Sequence, residues 1–131
     1  VGAVLPIIIK KYNVTRAIVE ETVYLQNPNT TRILAYFVGN IMGTILREKI
    51  YVTDVAPMRW KPGIGYKNVT KREQATWGLD ERETKKKAVF ERKERVARIM
   101  REIFLYDTQD YDIWDAIGIG WFSVSKEYGK K

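Results

Sequence analysis

Hydrophobic and polar positions fall along the chain into blocks with different periods. The longest block covers residues 81–106, ERETKKKAVFERKERVARIMREIFLY, which holds neither Gly nor Pro and mixes Glu, Lys, Arg and Ala. Summed propensity over such a window predicts one long helix. Within it Val89, Val96, Met100, Ile103 and Phe104 recur at helical spacing, whereas residues 81–87 carry no apolar side chain. The C-terminal part of this helix is therefore expected to sit in a core and the N-terminal part to project from it. Upstream, residues 33–46 are apolar in almost every direction around a helix, which predicts a helix starting at Thr30 or Thr31, ending near Lys49 and buried on every side. Gly39 and Gly43, four apart on it, would let another helix approach closely.

The shorter blocks read as connections and caps. Residues 1–9, VGAVLPIII, are apolar but interrupted by Pro6, which argues for an extended arm lying over its own core or in a groove of a neighbouring subunit. Asn13 is a natural N-cap for a helix carrying Val14, Ile18, Thr22 and Leu25, closed by the turn Asn27-Pro28-Asn29. Residues 50–68 contain Pro57, Pro62, Gly63 and Gly65 and read as a long loop that begins with a short strand at 51–55. Asn68-Val69-Thr70 opens a short helix to Trp77, and Asp80 caps the long helix after Gly78. Beyond it, residues 110–117 form one or two helical turns, Gly118 and Gly120 break them, and 121–124 make a terminal strand. The predicted fold is mainly α: a small helical bundle with one long projecting basic helix, comprising an extended apolar arm at 1–12 and a single helical domain at 13–131.

Charge changes this picture by its placement. The 131 residues carry a formal charge of +7, which points to an anionic partner without naming it. Residues 59–101 hold fourteen Lys/Arg against six Asp/Glu, whereas 107–117 hold four Asp and no base. Some of the charge is expected to pair along the helix surface, since Glu91 with Arg95 and Glu94 with Arg98 are four apart. Local pairing leaves the run Lys85, Lys86 and Lys87 in excess. With Arg82, Arg92 and Lys93 these lysines form the helical part of a candidate phosphate-binding surface. Arg59, Trp60 and Lys61, followed by Tyr66 and Lys67, interleave bases with aromatic rings that either stack on nucleic-acid bases or cover the edge of the core, two readings of equal weight, and Lys71 and Arg72 place two cations at a helix start, where a phosphate would relieve their opposition to the dipole.

The chain has no Cys and no His, which excludes zinc fingers, thiol nucleophiles, the usual Ser-His-Asp triad and imidazole acid–base chemistry. Asp107, Asp110, Asp112 and Asp115 crowd together, but their spacing matches no calcium loop. They are expected to pair with bases of the long helix or of the next subunit. Gly63-Ile64-Gly65 lacks the further residues of a phosphate or dinucleotide loop. No catalytic residue, metal site or cofactor is expected, and the chain reads as a binding or structural protein. The apolar run at 33–46 is short of the roughly 20 residues that cross a bilayer, so no membrane span is expected.

In its small size, its helix layout, its basic rod at 81–106, its apolar terminal segment and its abundant charge of both signs, the chain resembles the major capsid proteins of filamentous and rod-shaped DNA viruses of hyperthermophilic archaea. The resemblance is one of size, layout and charge and rests on no diagnostic motif. It implies a virion protein, a subunit of a helical nucleoprotein filament whose helices wrap double-stranded DNA held in A-form, assembled with itself and with a second related coat subunit. Two other readings fit the same charge pattern: a ribosomal or chromatin-type nucleic-acid-binding module, in a cytoplasmic setting, and a scaffold whose basic helix binds an acidic protein.

Overall fold

The computed structural model describes residues 2–22 and 26–128. The fold is mainly α, with six helices and two short strands in the described residues. Contacts cluster in two units, Val1–Pro57 and Met58–Lys131, so residues 1–12 belong to a unit that extends to Pro57.

The first unit is built on a strand–helix–strand crossover. Strand β1 (Arg16–Glu20) pairs in parallel with β2 (Tyr51–Val55), Arg16 opposite Tyr51 and Glu20 opposite Val55. Parallel neighbours need a long crossover connection, which helix α2 (Pro28–Arg47) supplies. β2 lies where the β-branched run at 51–55 predicts it. Asn27 caps α2, accepting from the backbone N–H of Asn29 at 3.0 Å and of Thr30 at 3.4 Å, with Pro28 in the first helical position. The cap thus falls three or four residues before the expected Thr30 or Thr31, because the Asn-Pro pair that reads as a stop signal serves here as a start. Thr44, Ile45, Ile50 and Val55 are buried.

Two expectations are reversed at this end of the chain. Residues 1–9 do not form an extended arm: helix α1 spans Val4–Lys11 and packs on α2. Pro6 falls in the first turn of α1, where its missing N–H has no acceptor to lose. Asn13 does not cap a following helix either. It takes a left-handed backbone, φ 49°, as the residue that ends α1. The expected helix after it is instead β1, with Ile18 and Val19 among its residues, while Leu25, the last position of the expected stripe, lies outside the described residues. α2 is likewise not buried on every side, since Ile33, Tyr36 and Phe37 are exposed.

The second unit packs helix α5 (Glu81–Ile103) against helix α6 (Tyr111–Tyr128). Ala97 and Met100 of α5 and Trp114 of α6 are fully buried, with Ile64, Ile99, Ile117 and Trp121 around them. Asp80 caps α5 as expected, its carboxylate accepting from the N–H of Glu83 at 2.8 Å. Val89 departs from the expected core stripe and is 52 % exposed. Residues 57–63 are not loop but helix α3 (Pro57–Gly63), the prolines and glycine marking its bounds. Helix α4 (Lys71–Ala75) is capped by Thr70, the last residue of the triplet expected to open it, through a reciprocal capping box with Glu73, and it ends at Ala75 rather than Trp77. α6 runs through Gly118 and Gly120, so neither the break nor the terminal strand forms. Gly118 is there for space: a Cβ on it would lie 2.9 Å from Cζ3 of the fully buried Trp60.

Candidate nucleic-acid interface

α5 positions most of the candidate cations. At 3.6 residues per turn, Arg82, Lys86 and Lys93 lie with Val89 along one line of the helix, and Lys85 and Arg92 lie along the adjoining line. All six side chains are exposed. From Arg82 to Lys93 the rise is about 16 Å, the length of roughly five base steps of a duplex. Arg82, Lys86, Arg92 and Lys93 make no ion pair or hydrogen bond with the described residues, whereas Lys85 pairs with Glu81 at 2.7 Å on an open surface where such a pair is weak. Lys87 separates from this group: it points to another side of α5, its Nζ 4.7 Å from the centre of the Trp77 ring.

The loop and short helices supply the rest. Arg59, Lys67, Lys71 and Arg72 are exposed. Lys61 is half-buried, its Nζ 5.5 Å from the ring centre of Trp60 and 5.8 Å from that of Tyr66. Trp60 itself must be removed from the base-stacking set. It is 0 % exposed, so neither ring face is open to a base, and its indole N–H has no hydrogen-bond partner among the described residues. Its alternation with bases in the sequence reflects a helix, α3, with one residue turned into the core.

Arg95 holds the two groups of cations in place. Its guanidinium donates from Nη1 to the carbonyls of Lys67 at 3.0 Å and Asn68 at 3.1 Å, from Nη2 to Glu73 at 2.8 Å and from Nε to Glu91 at 3.2 Å. The segment carrying Lys67, Lys71 and Arg72 is thereby tied to the side of α5. The Glu73 carboxyl is held below the usual range by the N–H of Thr70 and then by Arg95. Spacing alone gives Arg95 an ordinary pair with Glu91; the partners 22 to 28 residues away carry no local signal.

The acidic segment pairs less than expected. Asp110 accepts from the N–H of Asp112 at 2.9 Å, a local turn contact, and the four Asp form no ion pair within the described residues. Glu94 takes the pairing role for this region: it accepts from Arg101 at 2.7 Å and from the Tyr111 hydroxyl at 2.7 Å, the latter contact holding its carboxyl below the usual range. Asp115 is half-buried, and burial pushes its carboxyl up against the opposing pull of Lys61 and Lys93. Among the described residues no three Asp or Glu come together as a metal site, and no helix is long and apolar enough to cross a membrane. Comparison of the chain with protein-family models, with curated proteins and with solved structures finds no match.

Proposed function

We propose that the chain is a structural subunit of a helical nucleoprotein filament that wraps double-stranded DNA through sequence-independent phosphate contacts. The observation that carries the reading is the exposed line Arg82, Lys86 and Lys93 on α5, whose cations make no ion pair or hydrogen bond with the described residues, Lys93 feeling only the more distant charge of Asp115. Cations left unpaired on a helix meet phosphates without first giving up a protein partner, and a line of them reads backbone rather than base edges. Lys85 and Arg92 extend the line sideways, and Lys67, Lys71 and Arg72 add a second set tied in by Arg95. Val89, exposed between the cations, suits contact with sugar carbons. In this reading the DNA is A-form, the setting is a virion, and a second related coat subunit completes the filament, as the resemblance in size, layout and charge implies.

The test is duplex binding measured over a range of salt concentrations. Replacing Arg82, Lys86 and Lys93 together by Gln should lower affinity alike for unrelated duplexes and flatten the slope of log K against log salt by about 2.7, close to 0.9 per lost contact. Lys87→Gln serves as the internal comparison and should change the slope by less than one contact, because that lysine lies over Trp77. An unchanged slope in the triple variant rejects the interface, and binding of an acidic protein with no binding of duplex replaces it with the scaffold reading.

A further inference from the structure

Phe90 stands in the N-terminal half of α5 and is 54 % exposed. One turn below it lies Lys86 and one turn above it Lys93, both exposed and both members of the cation line. The ring is held in place by its other neighbour: it packs at right angles to Tyr111 with centroids 5.8 Å apart, and the Tyr111 hydroxyl in turn donates to Glu94 at 2.7 Å. A right-angle contact uses one face or one edge of a ring, so at least one face of Phe90 lies outside it.

Charge selects what this ring can meet. Phe104 and Tyr106 of the same unit are exposed as well, but Asp107 and Asp110 follow them directly and would repel an anion. Around Phe90 the balance is reversed. Lys86 and Lys93 make no ion pair or hydrogen bond with the described residues, and Lys87, the other neighbour one turn below, is turned onto Trp77. Of the acids on this side, Glu94 is taken up by Arg101 at 2.7 Å and by Tyr111, which leaves Glu83, two turns below, and Asp112, beside Tyr111, at the rim. An occupant that answers both a flat apolar face and a cation on either side of it is an unpaired base with its flanking phosphates. In a duplex the base faces are stacked on one another and offer the ring only edges and sugars. A membrane surface would need an apolar face along the helix, whereas residues 81–87 hold no apolar side chain.

We infer that α5 also takes single-stranded nucleic acid, one base stacked on Phe90 and the phosphates on either side of it met by Lys86 and Lys93. The inference rests on the phosphate-binding reading of the same cations and adds to it a second form of the ligand. The test is fluorescence anisotropy of the full chain with a labelled oligothymidylate of about 12 nucleotides, with an abasic strand of the same length and with a duplex, each over a range of salt. Phe90→Leu keeps an apolar side chain and removes the ring. It should weaken oligothymidylate binding by about tenfold with the salt slope unchanged, since no charge is lost, and alter duplex binding by less than about twofold. Phe90→Trp should bind the oligothymidylate at least as tightly as the wild type. The wild type should bind the abasic strand about as weakly as Phe90→Leu binds oligothymidylate, a comparison that needs no variant and decides the matter if Phe90→Leu fails to fold. Equal binding of oligothymidylate by wild type and Phe90→Leu overturns the inference, as does an equal loss on single strand and duplex, or wild-type binding of the abasic strand as tight as that of the base-bearing one. Any of these results beside duplex binding with the slope expected of Arg82, Lys86 and Lys93 rejects the stacking and leaves the phosphate reading standing. Binding of the single strand through Phe90 with no binding of duplex leaves the stacking standing and rejects the double-stranded reading, and binding of neither overturns both.

Discussion

Replacing Arg95 by Met removes the guanidinium and keeps the aliphatic stem along α5. Four hydrogen bonds disappear, two to the carbonyls of Lys67 and Asn68 and two to the carboxylates of Glu73 and Glu91. The Arg95 side chain is 17 % exposed but Glu73 is 44 % exposed, so solvent screens that ion pair and the carbonyl contacts weigh more. Hydrogen bonds from a charged donor contribute about 1.5 to 3 kcal/mol when dry and less when wetted, which gives an expected loss of about 2 kcal/mol for the cluster. All four tryptophans, Trp60, Trp77, Trp114 and Trp121, lie in the second unit, so their fluorescence follows its unfolding. For a unit of this size the urea slope is about 1 kcal/mol per molar, and the midpoint should fall by about 2 M. A pH series adds a sign. The Glu73 carboxyl is depressed in the folded state, so its contribution is present above its unfolded pKa and is lost as pH falls through the folded value. The gap between wild type and variant should therefore narrow in acid. A midpoint shift at neutral pH below about 0.5 M would refute the reasoning, because the contacts would then be exchanging with water at no cost.

Gly118→Ala should destabilise the second unit by about 1 to 3 kcal/mol despite a gain of roughly 1 kcal/mol in helix propensity, because the new Cβ meets the immobile ring of Trp60; a urea midpoint equal to wild type or above it would show that the ring can shift. Asp115→Asn should raise stability at neutral pH, since burial pushes the Asp115 carboxyl up and its contribution is lost as pH rises through the folded value; unfolding at pH 7 and pH 3 should show the advantage only at the higher pH, and no advantage at pH 7 would mean that Lys61 and Lys93 outweigh burial.

How legible each element is follows the range of the interaction that decides it. α5 and its Asp80 cap are readable because propensity, charge and capping act within a few residues, and all three agree. β1 is not, since five residues with Ile18 and Val19 become a strand only by pairing with β2, 35 positions downstream. α6 fails to be read for the same reason: Gly118 counts as a helix breaker until Trp60 requires the space. Pro6 and Pro62 show the complementary error, in which a residue taken to forbid helix only marks its first or last turn.

The candidate interface divides along the same line, and the division bears on what the cations can do. Their number and sign are local facts, and the sequence states them. Whether each is free is a tertiary fact: Lys86 and Lys87 are neighbours in the run, yet one has no partner among the described residues and the other lies over Trp77. Arg95 shows the reverse case, since a residue that spacing assigns to a helix-surface pair makes that pair with Glu91 and in addition engages Glu73 and the backbone of 67–68. A guanidinium so engaged is a poor phosphate ligand, but it fixes the strand of chain on which Lys67, Lys71 and Arg72 are carried. On the proposed DNA-binding reading, loss of Arg95 should therefore weaken duplex binding through disorder of that segment while leaving the contribution of Arg82, Lys86 and Lys93 to the salt slope intact, a separation that neither charge count nor helical spacing would give.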